Sequence, residues 1–269
     1  MKIALCNELF VNWELENVIS YCADLGYDGI EIAPFTLGEW PNELPVKRRD
    51  SLRNFADNHK IDIVGLHWLL VGSPGLSLSS PDPEVRRFTE KYLIDLIDLC
   101  ADLGGRILVF GSPSQRNIGV DQTLPQVWKY AKEIFSHCLP AAEKRNVTIC
   151  LEPLSPQETN FINTAKQGIK FVKEMNHPHF QLHLDVKAMS YEKKSIPEII
   201  RMASPYLRHF HVNDQDGHEP GYGMLDFQPI IEALREGDYN EYISVEVFDY
   251  TDGPEKIAAR AYTYLSHLI

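Results

Sequence analysis

The chain has 269 residues, of which 44% are hydrophobic and 24% charged, with a formal net charge of −12. It is long enough for one large globular domain with a sizeable core. The acidic balance excludes a nucleic-acid partner, which would need a basic stripe, and no apolar run approaches the ~20 residues that span a bilayer.

The opening residues "MKIALCNELF" break their apolar run at Asn7 and Glu8, and predict a first strand from Lys2 rather than a signal peptide. Further strands are predicted from Gly29 ("GIEIAP"), Ile61 ("IDIVGLHW") and Arg106 ("RILVFGS"). In the second half they follow from Val147 ("VTICLEP"), Phe180 ("FQLHLDV"), Leu207 ("LRHFHVND") and Tyr242 ("YISVEVF"). Helical patterns separate them, among them runs from Glu84 and from Asp121. "VKRRD", Val46 to Asp50, is the densest basic cluster and reads as a solvated helix face. An internal echo, "CADLGYDGIEI" from Cys22 and "CADLGGRILVF" from Cys100, reads each time as a last helical turn, a glycine cap (Gly26, Gly104) and a strand. The five cysteines (Cys6, Cys22, Cys100, Cys138, Cys150) are widely spaced without a CxxC pair, as expected of small core residues in a reducing, cytoplasmic setting.

Strands alternating with helices, without a linker or composition break, predict an α/β fold with a parallel sheet in one domain over residues 1–269. Eight strands and about eight helices fit a single (β/α)8 TIM barrel. A doubly wound open sheet is the structural alternative, but the first strand is not followed by GxGxxG and there is no P-loop.

In such a barrel the functional groups belong at the C-terminal ends of strands, on the side that faces inward. Four successive strands offer one each: Glu152, Asp185, His211 and Glu246. In "LHLDVKAM" the alternation predicts Leu182, Leu184 and Val186 outward, with His183, Asp185 and Lys187 inward. Taken singly, each polar residue would also make an ordinary solvated strand end. Together, three carboxylates and an imidazole would repel unless a cation sat between them. An O₃N set suits a divalent ion: Mn²⁺ first, with Mg²⁺, Co²⁺ or Zn²⁺ as alternatives. Other strand-end groups are weaker candidates: His67, Glu8 and Glu31, with His183 expected deeper, as a packing residue.

At these four residues the sequence resembles the xylose-isomerase-like TIM barrels grouped as sugar phosphate isomerases/epimerases, and within them it is most similar to the ketose 3-epimerases. The resemblance extends over essentially the whole chain. It implies that Glu152, Asp185, His211 and Glu246 bind a Mn²⁺-like ion, with Glu152 and Glu246 as catalytic base and acid. Glu158, six residues after Glu152 in "LEPLSPQETNFINTA", would contact a substrate hydroxyl. Lys187, His67 and His218 are further substrate-side candidates. Two departures stand out: those epimerases have a His where this chain has Ala188 and an Arg where it has Gly217, followed by His218. Both missing groups hold the substrate's polar end, which implies a different substrate here.

The implied chemistry is proton abstraction beside a carbonyl through a metal-stabilised enediolate. Returning the proton to the opposite face epimerises, returning it to the adjacent carbon isomerises, and losing a β-hydroxyl dehydrates. The leading expectation is therefore a divalent-metal-dependent epimerase or isomerase of a ketose or keto-sugar. The alternatives are a dehydratase of the inosose or 3-dehydroshikimate kind and a non-catalytic sugar-binding subunit. The expected partner is a small sugar, unphosphorylated because no dense basic cluster awaits a phosphate, and family membership implies a homo-oligomer.

Overall fold

A computed structural model describes residues 1–269. The eight strands are β1 (Lys2–Cys6), β2 (Gly29–Ile32), β3 (Asp62–Leu66), β4 (Ile107–Phe110), β5 (Thr148–Leu151), β6 (Phe180–Asp185), β7 (Leu207–Val212) and β8 (Tyr242–Val245). Each pairs in parallel with the next, and β8 returns to β1, so the sheet closes into a TIM barrel. The helices are α1 (Leu15–Leu25), α2 (Val46–His59), α3 (Pro83–Asp102), α4 (Leu124–Arg145), α5 (Ala165–Met175), a single turn α6 (Val186–Met189), α7 (Ile196–Ala203), α8 (Gln228–Glu236) and α9 (Pro254–Ser266). All eight predicted strands are present. The echoed glycines stand where expected, Gly26 capping α1 and Gly104 just past α3, both with positive φ.

Two layers of apolar packing hold the barrel. Outward strand residues such as Leu5, Ile30, Leu108 and Leu182 join the helices in the main core. On its α4–α5 side, Phe135 packs against Phe110 and Phe180, each at 5.0 Å between ring centroids. Inside the barrel a separate small cluster of Ala4, Val64, Ile107, Val109 and Cys150 fills the lower lumen. All five cysteines are free and buried.

The structure departs from expectation at two places. Arg49, in the basic stretch of α2, is buried rather than solvated. Its guanidinium donates to the carbonyls of Leu44 and Pro41, at 2.8 Å each, and pairs with Asp102 at 3.0 Å. β6 stops at Asp185, and Val186–Met189 is a helical turn. The Asp185 side chain caps that turn by accepting from the Ala188 N–H.

Candidate active site

Parallel strands deliver their last residues to one rim. Glu152 and Glu246 stand one residue beyond β5 and β8, and their amides still donate across the sheet, to Phe110 and Val212 at 3.2 Å each. Asp185 lies opposite His211 in the β6–β7 register. One ligand atom from each of Glu152, Asp185, His211 and Glu246 lies within 4.8 Å of the others, and all four residues are buried. The structure thus brings the four predicted residues into one cluster.

Each of the four is held by neighbours. Asp185 accepts from Ala188 N at 2.7 Å and from Asn213 Nδ2 at 2.6 Å, while Asn213 Oδ1 accepts from Lys187 N at 2.8 Å. Arg116, wholly buried, donates to the Glu152 carbonyl at 2.7 Å. The Glu152 carboxylate occupies the space a side chain at Gly111 would need: a Cβ there would stand 1.8 Å from Oε2. Trp68 Nε1 donates to Glu246 Oε1 at 2.6 Å.

Charge crowding in a dry site sets the proton affinities. Burial, then the Glu246 and Asp185 charges, push the Glu152 carboxyl well above the carboxylate range. Burial and Glu246 bring Asp185 up to about 6. Burial acts the same way on Glu246, but the charge and hydrogen bond of His211 outweigh it and leave that carboxyl low. His211 Nδ1 sits 3.1 Å from Glu246 Oε2. Three mutually repelling carboxylates around one imidazole, with no basic side chain between them, form an oxygen-rich O₃N donor set that fits a divalent cation.

Below the rim the lumen is polar. Glu31 is fully buried, with His209 and His211 within hydrogen-bond reach. Burial alone would raise its carboxyl, yet the two imidazoles hold it well below the usual range. His67 is buried between Glu8, whose Oε2 lies 2.7 Å from its Nε2, and Glu31. His183 is buried with neither ring nitrogen hydrogen-bonded, 3.7 Å from Glu152.

On the solvent side, a cavity of about 160 Å³ is lined by Trp68, Ser112, Glu152, Glu158, Glu246 and Phe248, among others. Trp68 and Phe248 stack as one wall, their rings 20° apart and their centroids at 6.3 Å. Glu158 is fixed by its own loop, its Oε2 accepting from the amide and hydroxyl of Ser155 at 3.1 and 2.7 Å. Lys187 does not reach the site as an inward strand residue. It projects from the α6 turn, donates to Glu158 Oε1 at 3.3 Å and lies 4.4 Å above the Phe248 ring.

His218 stands apart, in the β7–α8 loop, between Asp216 and Asp249 and stacked on Tyr222. Gly217 beside it has φ +88°, a conformation that disfavours any side chain there. A larger hollow of about 360 Å³ lies at the other end of the barrel among Arg53, Arg106 and Arg208, away from the four clustered residues.

Asn213 shares the inward parity of His211 and lies beyond the candidates named from the sequence. Trp68, Gly111 and Arg116 gave no such signal, because their contacts cross between strands far apart in sequence.

Comparison with known proteins agrees with the fold. The model of the xylose isomerase-like TIM barrel family matches residues 19–267. The D-psicose 3-epimerase of Ruminiclostridium cellulolyticum is 30% identical over 247 residues, 89% of this chain and 82% of that protein. The D-psicose 3-epimerase of Agrobacterium fabrum is 28% identical, over 87% of this chain and 80% of its own length. The crystal structure of D-psicose 3-epimerase with D-tagatose from Clostridium cellulolyticum superposes with a TM-score of 0.88 at 26% identity, covering 100% of this chain and 99% of that one. The chain belongs to the xylose isomerase-like TIM barrel family, and its curated relatives are sugar epimerases.

Proposed function

We propose that this chain is a divalent-metal-dependent epimerase or isomerase of an uncharged ketose or keto-sugar. The observation that carries the reading is the Glu152–Asp185–His211–Glu246 cluster, closed to within 4.8 Å, two of whose members, Glu152 and Glu246, line a small cavity. Those four side chains would hold the ion, which when bound supplies Lewis-acid polarisation of the sugar's carbonyl. Glu152 and Glu246 come from β5 and β8 on either side of that cluster. One takes the proton from the carbon beside the carbonyl, and the other returns a proton to the opposite face of the resulting enediolate. The Trp68–Phe248 wall packs the sugar's C–H face and excludes water. Glu158 accepts a sugar hydroxyl, and Lys187 donates to a neighbouring oxygen.

The preference for an uncharged sugar follows from charge. Lys187, the cation at the cavity, is already engaged by Glu158, and carboxylates dominate the polar lining. Ala188 and Gly217 offer no polar side chain to the sugar's far end, which favours a substrate differing there from D-psicose. His67 acts from beneath, through Glu246 and Glu8, and His218 reads the outer end of a longer substrate. Five free thiols suit a reducing cytoplasm.

The test is a screen of ketoses and keto-sugars with Mn²⁺, followed by NMR in D₂O. A substrate should gain deuterium at the carbon beside its carbonyl and yield an epimer or isomer. Chelation should abolish turnover, and Glu246→Gln should lower kcat by about 10²–10⁴-fold. Turnover indifferent to chelator would defeat the metal reading, and an alkene product would make the protein a dehydratase.

A further inference from the structure

Glu31, on β2, has no place in the reaction as derived, yet it is the most heavily contacted acceptor in the lumen. Its Oε2 lies 2.6 Å from His209 Nε2, and both its oxygens lie 3.2 Å from His211 Nε2. His67 Nδ1 approaches Oε1 to 3.8 Å, beyond hydrogen-bond range. The β2–β3 register slips between Ile30 and Glu31, an irregularity that re-aims a side chain. Ser244 Oγ lies 3.3 Å from the same His209 Nε2.

A carboxylate presents only acceptors, so a ring nitrogen bonded to it must carry its hydrogen. His211 Nδ1 faces the other way, 3.1 Å from Glu246 Oε2 and towards the ligand cluster; in the metal-free chain it too shares a hydrogen with a carboxylate, and it is the nitrogen that would release that hydrogen to an ion while Nε2 keeps its own on Glu31. We propose that Glu31 is a positioning residue that fixes the tautomer and ring plane of His211, making Nδ1 the metal-coordinating atom. The inference rests on the metal reading above and adds a residue outside the ligand set. A carboxylate behind a metal-bound imidazole orients the ring and raises its basicity, and losing such a partner costs about 10–100-fold in metal affinity.

The experiment measures binding rather than turnover. Metal-free wild type and Glu31→Gln are titrated calorimetrically with Mn²⁺, with circular dichroism confirming that both are folded. The amide that replaces the carboxylate can accept only at its one oxygen, so the variant should bind Mn²⁺ about 10–100-fold more weakly. Equal affinity, within about threefold, would overturn the inference. An independent readout needs no variant: in the Zn²⁺-loaded wild type, ¹⁵N shifts of His211 should show a hydrogen on Nε2 and coordination through Nδ1. Coordination through Nε2 would overturn it even if Glu31→Gln failed to fold. A wild type that binds neither ion would overturn the metal reading and this inference together, whereas the other two failures leave the metal reading standing.

Discussion

Strands β5 to β8 each end in one member of the Glu152–Asp185–His211–Glu246 cluster, and strands β1 to β4 end in none. The first half supplies the surroundings instead. Glu31 lies beneath His211, the Trp68 indole bonds Glu246, and the bare backbone of Gly111 leaves room for the Glu152 carboxylate. The two halves share a strand–helix plan, so the difference is one of labour. One half carries the four clustered residues, and the other supplies part of what holds them in place. Removing a ligand should therefore abolish function, whereas altering the supporting half should degrade it in proportion to how far a carboxylate is displaced.

That proportion is open to test. Gly111→Ala should have the largest effect among the supporting residues. The added methyl would stand 1.8 Å from Glu152 Oε2, so the carboxylate must swing away. A displacement of about 1 Å at a reacting group can cost about 10²-fold in rate. Steady-state kinetics should show kcat falling by about that factor with circular dichroism unchanged; full activity would mean Glu152 tolerates more than one position.

Trp68→Phe keeps an aromatic wall but removes the N–H on Glu246. A hydrogen bond to a charged group contributes about 1.5 kcal/mol or more, so kcat/KM should fall about tenfold. A loss confined to KM would assign Trp68 to sugar packing alone. Lys187→Met should do least to the chemistry, because it breaks a half-buried ion pair outside the ligand set. KM should rise about threefold with kcat nearly constant, in line with the ~1 kcal/mol ceiling usual for such pairs. A kcat loss as large as that of Gly111→Ala would move Lys187 into the reaction itself.

The division of labour also explains what the sequence disclosed. Strand parity is a local signal, so the closed barrel and the four clustered residues followed from alternation and position. Val186–Met189 escaped because a short run with Lys187 half-buried and Val186, Ala188 and Met189 buried satisfies a period of 2 almost as well as a helical turn. The capping geometry at Asp185 decided between them. Arg49 escaped because its partners are two carbonyls of the turn leading into α2, Leu44 and Pro41, and a carboxylate, Asp102, that only the α2–α3 packing brings near. Glu31 was visible as a strand-end acid, but its place under His211 is a contact across the lumen between residues 180 positions apart. Such relations belong to the closed barrel and leave no mark on either strand alone.

Of the four tryptophans, Trp13 packs against Phe10 and Tyr21, Trp40 against Phe88 and Tyr92, and Trp128 against Phe161 and Phe171. Only Trp68 is hydrogen-bonded to one of the four clustered residues. Its indole therefore feels the charge on Glu246 and the stacking of Phe248 at once. The native chain thus carries an intrinsic optical reporter beside the four clustered residues: whatever rearranges Glu246 or fills the cavity alters the surroundings of one fluorophore in four, without any label.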